Sequence, residues 1–252
     1  MSGHSKWSTI RRRKAASDAK RGRLFTKIAR ELTVAARQSG GDPDANFRLR
    51  LVIDMARQAN MPKDSIERAI KRGTGEIKGE AFEEIRYEVY GPHGVALILD
   101  ALTDNRKRAV ADVRRLLTRS GGSLAETGSV TWLFDQKGLI IIEAEGEEAE
   151  RFALQAIDAG ADDVRVENGL VEIYTQPAEF QKVKETLERE GAPFSSAEMT
   201  MVPKSLMQLG EKETFQTMHL IEALEELDDV QQVYSNLEIS AEMVDSYEYE
   251  AA

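Results

Sequence analysis

Asn168-Gly169 lies between two short alternating runs, 164–167 (VRVE) and 170–175 (LVEIYT). Both central residues of a two-residue type I′ turn need positive φ, which Asn and Gly tolerate best, so the dipeptide predicts a tight hairpin. That hairpin orders its surroundings. An apolar run at 139–143 and a helix-period pattern at 147–159 precede it, and a helix at 178–190 and a strand at 195–201 follow. The order is βαββαβ, that of a ferredoxin-like domain.

The first 78 residues carry a different rhythm. Leu24, Ile28, Leu32 and Ala35 or Ala36 recur at three- and four-residue spacing and end at Gly40-Gly41, predicting a helix over 23–39. Asp42-Pro43 is read as N-cap and first-turn proline of a second helix, whose stripe is Leu51, Val52, Met55, Ala56 and Ala59. Pro62 restarts the chain, Ile66, Ala69 and Ile70 form a third stripe, and Gly73-Thr74-Gly75 closes it. After Gly79 the pattern turns to strands: 83–90 and 95–102 flank Gly91-Pro92-His93-Gly94, Asp104 is placed as the cap of a helix carrying Val110, Val113, Leu116 and Leu117, and a strand is expected near 130–134. A helix at 211–227 and a strand at 230–239 remain, too few for a domain alone.

The economical assembly is α+β and multidomain: an N-terminal three-helix bundle plus two small α+β domains, one ferredoxin-like and inserted into the other. The expected boundaries are 1–78, then 79–134 plus 205–245, with 135–204 inserted.

Charge separates these parts. The net charge is −10, yet residues 1–78 hold 19 Lys and Arg against 8 Asp and Glu, or +11, and residues 79–252 hold 15 against 36, or −21. A basic segment in an acidic protein is the electrostatic footprint of phosphate binding. Its densest stretch holds Lys6, Trp7, Arg11, Arg12, Arg13, Lys14, Lys20, Arg21, Arg23 and Lys27, nine cations and one indole. Arginine forks pair with phosphate and an indole stacks on bases, so these ten residues are the candidate nucleic-acid-binding set. Arg48, Arg50, Arg57, Lys63, Arg68, Lys71 and Arg72 extend the patch or form a solvated face. The turn at 90–94 and the loop at 121–129 are candidates for a second contact surface, although their glycines serve backbone geometry equally well.

No catalytic, metal or cofactor site is expected. Cysteine is absent, and His4, His93 and His219 fall in separate elements without ligand spacing. The segment 73–79 (GTGEIKG) lacks phosphate-loop spacing and follows a helix where a strand is needed, so it is read as a linker. Glu225-Glu226 and Asp228-Asp229 are read as a solvated charge run. No window approaches a membrane span, and MSGHSKWSTIRRRK has no apolar stretch behind its charges, so the expected location is the cytoplasm.

The motifs GHSKW at 3–7, Lys20-Arg21-Gly22-Arg23, GGDP at 40–43, NMPKD at 60–64, YGPHG at 90–94, ALTDNR at 101–106 and DDVQQVYSN at 228–236 together resemble the YebC/PmpR family over essentially the whole chain. His93 departs from the glycine or small residue expected in that family's YGP turn. The resemblance implies three domains, no catalytic residue and a role in gene expression, as DNA-binding transcriptional regulation or as translational activation and relief of stalled ribosomes. The expected partner is therefore nucleic acid, DNA or ribosomal RNA, with the ribosome itself a further candidate; no membrane or small-molecule substrate is expected. A protein-interaction scaffold, its basic arm merely a counter-charge, is the competing reading.

Overall fold

A computed structural model describes residues 18–167, 169–240, 243–244 and 246–247, with side chains from Arg21 onward. The described chain forms two compact units, one of them Phe134–Lys204 and the other built from the segments on either side. The fold is α+β: a helical bundle and two α+β domains, one ferredoxin-like and inserted into the other.

In the flanking unit, α1 (Asp18–Ser39) and α3 (Lys63–Gly73) bury the stripes expected of them, whereas α2 (Phe47–Gln58) turns Leu49, Val52, Ile53 and Ala56 inward, with Leu51, Met55 and Ala59 of its expected stripe only partly buried. Ile28, Leu32, Ala35 and Ala36 meet Leu49, Val52, Ile53 and Ala56 of α2 and Ile66 and Ala69 of α3 in one core. The cap of α2 is Asn46, not Asp42. Its side chain accepts from Leu49 N at 3.0 Å while its amide donates to Ala35 O at 2.9 Å and Gly40 O at 2.8 Å. One buried side chain thus satisfies the end of α1 and the start of α2, and Asp42 instead accepts from Asp44 N in the turn before it.

The same unit contains β1 (Glu83–Tyr90), β2 (Ala96–Thr103), α4 (Arg106–Ser120) and β3 (Ser123–Leu124), and after the insertion α7 (Glu211–Glu225) and β8 (Val230–Ser235). The sheet order is β3-β1-β2-β8, antiparallel throughout. Val113 and Leu117 of α4 and Met218, Ile221 and Leu224 of α7 share a core with Val89, Leu97, Leu99 and Val233. The cap of α4 is Asn105, one residue beyond the expected Asp104; it accepts from Arg108 N at 3.1 Å. The strand expected near 130–134 is instead a 3₁₀ turn at Thr131–Leu133. A side chain replaces the missing ladder there: Glu88 accepts from the backbone N–H groups of Gly128, Val130 and Thr131 at 2.6, 2.6 and 2.8 Å. His93 takes the left-handed conformation itself, with φ 60°.

The inserted unit runs β4 (Phe134–Glu143), α5 (Gly146–Ala159), β5 (Asp163–Glu167), β6 (Leu170–Thr175), α6 (Phe180–Arg189) and β7 (Phe194–Pro203). Its antiparallel order β5-β6-β4-β7 puts the first and third strands at the centre, as in ferredoxin-like domains. The predicted hairpin joins β5 to β6, with Gly169 at φ 75°; Asn168 lies outside the described residues. Among the described residues no helix is long and apolar enough to cross a membrane.

Gly73 sits where α3 crosses α1. A Cβ there would lie 2.4 Å from Thr33 O and 2.7 Å from Ala36 Cβ. Alanine is the better helix former, but overpacking a crossing costs about 1–3 kcal/mol and outweighs the propensity gain. Gly73→Ala is therefore expected to lower the urea midpoint; a raised midpoint would contradict the close crossing.

Candidate nucleic-acid interface

Of the ten candidate residues, Lys6, Trp7, Arg11, Arg12, Arg13 and Lys14 lie outside the described residues, and Lys20 falls in the first turn of α1 with its side chain undescribed. Arg21 is exposed on α1. Arg23 and Lys27 point along the same helix to the turn after α7: Arg23 Nη2 is 3.5 Å from Glu226 Oε1, and Lys27 Nζ donates to Glu225 O at 2.6 Å.

One turn further along α1, Arg30 enters the centre of this contact. Its Nη1 donates to the carbonyl of Asp228 and, at 2.8 Å, to Asp229 Oδ1, while Phe82 lies against its guanidinium at 5.3 Å. Asp229 is buried, which corrects its reading as part of a solvated charge run. It also accepts from Arg108 of α4, Nε at 3.2 Å and Nη2 at 2.9 Å, and Arg108 reaches Asp104 at 2.6 Å. Hydrogen bonding to Asp229 first and Asp104 second holds the Arg108 guanidinium above its ordinary value, and Arg108 in turn holds the Asp104 carboxyl below its own. One carboxylate therefore ties α1, α4 and the start of β8 together. Arg30, Arg108 and Asp229 were missed by sequence reasoning; the only signal for Asp229 was its place immediately before an apolar strand.

The cations of the second helix are similarly engaged. Arg48 pairs with Glu84 at 2.5 Å and Glu31 at 3.7 Å, and donates to Gln38 at 2.8 Å. Burial is the largest single influence and works against both charges, but the hydrogen bond and charge attraction between Arg48 and Glu84, with Glu31 helping Arg48 and Gln38 helping Glu84, together outweigh it, so Arg48 is raised and Glu84 lowered. Arg50 donates to the carbonyls of Pro43 and Asp44, and Arg57 lies 3.6 Å from Asp54. On α3, Lys63 pairs with Glu67 at 3.7 Å. Arg68, Lys71 and Arg72 fall at i, i+3 and i+4 on an exposed strip of α3, and among the described residues no carboxylate pairs with them. They are the bundle's available cations.

Two of the histidines have local partners. His93 Nε2 is 3.0 Å from Gln216 Oε1, and Tyr247 Oη is 2.7 Å from His219 Nδ1. Among the described residues no group of three or more His, Asp or Glu side chains has metal-holding geometry.

Residues 5–76 match the TACO1/YebC protein N-terminal domain, and residues 82–237 match the TACO1/YebC second and third domain. The chain belongs to the TACO1/YebC family. It is 51% identical over 242 residues to a probable transcriptional regulatory protein of Geobacter sulfurreducens, covering 96% of this chain and 98% of that one. A protein of the same description from Dehalococcoides mccartyi is 49% identical over 251 residues, covering both chains fully. Among solved structures, a conserved hypothetical protein from Aquifex aeolicus superposes with a TM-score of 0.81 at 47% identity, over 88% of this chain and 92% of that one.

The two buried carboxylates have separate consequences. Asp229→Ala leaves Arg30 facing Arg108 without the carboxylate between them, with Asp104 still pairing Arg108, and is expected to cost about 3 kcal/mol, with Asp229→Asn costing less because an acceptor oxygen remains. Equal urea midpoints for wild type and Asp229→Ala would contradict the tie. For Glu88, burial pushes the carboxyl up, but the N–H groups of Gly128, Val130 and Thr131 prevail and hold it below its ordinary 4.5. Its stabilisation is thus present above that ordinary value and lost as pH falls through the lowered one. Limited proteolysis is expected to find the 125–133 loop protected at neutral pH and cut in acid in the wild type. In Glu88→Gln it is expected to be cut at both.

Proposed function

We propose that this chain is a non-enzymatic, nucleic-acid-binding regulator of gene expression acting in the cytoplasm, and that residues 1–78 carry its contact with phosphate. The observation that carries the reading is the charge division, +11 in residues 1–78 against −21 in the remainder. The exposed strip Arg68, Lys71 and Arg72 extends the basic surface onto the folded bundle. The relatives' description as probable transcriptional regulatory proteins supports the regulatory half of the proposal. On this reading residues 1–78 form the binding domain, and residues 79–134 with 205–245 and the inserted 135–204 form two acidic domains that hold and orient it.

A second reading, an RNA- or ribosome-associated translation factor, is favoured by the bundle's own geometry. A helix-turn-helix reader presents available side chains on the helix after the turn. Here that helix is α2, and Arg48, Arg50 and Arg57 all have partners within the protein. Cations concentrated in a segment with one indole, at positions 6–27, suit irregular RNA, where shape and phosphate geometry replace a base code.

If about six phosphates are neutralised, log K falls with log[salt] at a slope of about −4 to −5. Replacing Arg11, Arg12, Arg13 and Lys14 with alanine is expected to flatten the slope; unchanged binding would sink the assignment. Competition between a candidate promoter and scrambled duplex separates the two readings. A preference within about tenfold supports the RNA reading, and one above about a thousandfold makes the chain an operator reader.

A further inference from the structure

Helix α4 is a basic island in the acidic part of the chain. It holds six Lys and Arg against one Asp, whereas the whole of residues 79–252 holds 15 against 36. Three of the six are accounted for inside the fold: Arg106 pairs with Glu83 at 2.9 Å, Arg108 with Asp229 and Asp104, and Arg115 with Asp112 at 3.2 Å. Lys107, Arg114 and Arg119 are exposed, and among the described residues no carboxylate pairs with them.

Their placement on the helix is informative. Ala109, Val113 and Leu117 face the core. Lys107 and Arg114, seven residues apart, share one flank of the exposed face, and Arg119 lies on its other flank, about 120–140° round the helix, so the three cations frame that face over about 18 Å of helix. Helix stability does not account for Lys107. It sits in a first turn with no acidic residue, where the helix dipole disfavours a cation.

Beyond the C-terminal end of α4 stands a pair of exposed aromatics. Gly122 is packed so close that a Cβ would lie 2.9 Å from Tyr90 O, and Ser123 pairs with Tyr90 across the β3–β1 ladder. Tyr90 Oη and Trp132 Nε1 both donate to Ser129 O, at 3.2 and 2.9 Å. Tyr90 is 40% exposed and Trp132 65%, on a loop that Glu88 holds by three backbone hydrogen bonds. An indole held by its N–H on a fixed loop, with most of its surface in water, offers a stacking platform without the ordering cost of a free side chain.

We infer that the outer face of α4, with Trp132 and Tyr90 beyond its C-terminal end, is a second nucleic-acid contact, and that its ligand is single-stranded RNA. Lys107, Arg114 and Arg119 take phosphates, and the aromatics take an unpaired base. The inference rests on the proposal that the chain binds nucleic acid, and it adds a surface outside residues 1–78.

The test uses the full-length protein and a labelled mixed-sequence single-stranded RNA, titrated at several salt concentrations. Lys107→Gln/Arg114→Gln/Arg119→Gln is expected to bind at least tenfold more weakly and to shift the salt slope toward zero by about 2, at roughly 0.7 per phosphate contact. Its thermal midpoint should match wild type, since among the described residues no carboxylate pairs with these side chains. Trp132→Ala should weaken binding about fivefold or more with the slope unchanged, and Trp132→Phe should retain most of the affinity. With Trp7→Phe, Trp132 is the remaining indole, and RNA is expected to quench its emission. Wild-type affinity and slope in the triple variant, or an unaffected Trp132→Ala, overturn the inference. The alanine variant of residues 11–14 reads the earlier proposal separately: its loss beside an unaffected triple variant removes this surface alone. If polyglutamate bound wild type as tightly as RNA does and the triple variant abolished that binding, the face would serve an acidic protein and the inference would fall.

Discussion

The buried carboxylate of Asp229 is the constraint on which the flanking unit depends. A carboxylate taken out of water must be paired, and two guanidinium groups that approach each other must have an anion between them. Arg30 comes from the bundle, Arg108 from α4, and Asp229 from the turn before β8, more than a hundred residues after either arginine. The buried carboxylate is tolerable only with its arginines in place, whereas Arg108, partly exposed and paired with Asp104 as well, is held by more than one partner. The bundle and the α+β sheet beside it are therefore locked by chemistry, and apolar packing adds to a geometry the charges already demand. Lys27 and Arg23 widen the same contact toward its exposed rim, where ion pairs contribute little.

That lock changes the meaning of the charge count. A helix can be rich in arginine because its cations hold the fold or because they face a ligand, and composition does not distinguish the two. Arg48 of α2 is bound to Glu84 and Glu31, and Arg30 of α1 to Asp229, so both are structural. Arg68, Lys71 and Arg72 on α3 and Lys107, Arg114 and Arg119 on α4 have no such engagement among the described residues. On the proposed reading, the electrostatic field available to an outside phosphate comes from this second set and from the cations of the N-terminal segment.

Where local rules decide conformation, the sequence was readable. The βαββαβ order and its turn at Gly169 followed from period-2 and period-3.6 patterns, and Leu170–Thr175 emerged with both ends as expected. The errors share one cause. Asp42, Asp104 and the 130–134 segment were each assigned from neighbours in sequence. The deciding partners were Ala35 and Gly40 for the Asn46 cap, the Asn105 cap that left Asp104 to Arg108, and the distant Glu88 carboxylate for 130–134. Asp229 was misread for the same reason. A run of carboxylates at a helix end is usually solvated, and nothing within ten residues announces the arginines that bury it. Of the candidate interface, the cation density at 6–27 was legible from composition, while the division of cations into engaged and available required the tertiary partners.

Glu88 and Asp229 also bear on why so acidic a chain holds basic surfaces open. Unassigned carboxylates near a cation strip would compete with phosphate for it. Around α4 several carboxylates are already engaged: Glu88 by three backbone N–H groups, Asp229 and Asp104 by Arg108, Glu83 by Arg106, and Asp112 by Arg115. Each engagement removes an internal competitor for Lys107, Arg114 and Arg119. On the proposed reading, the −21 excess acts at longer range, repelling nucleic acid from most of the surface while the basic strips attract it, so that the field orients an approaching strand before any contact forms. Salt would weaken that orientation over a Debye length of about 8 Å, whereas the buried Asp229 tie, shielded from ions, would persist.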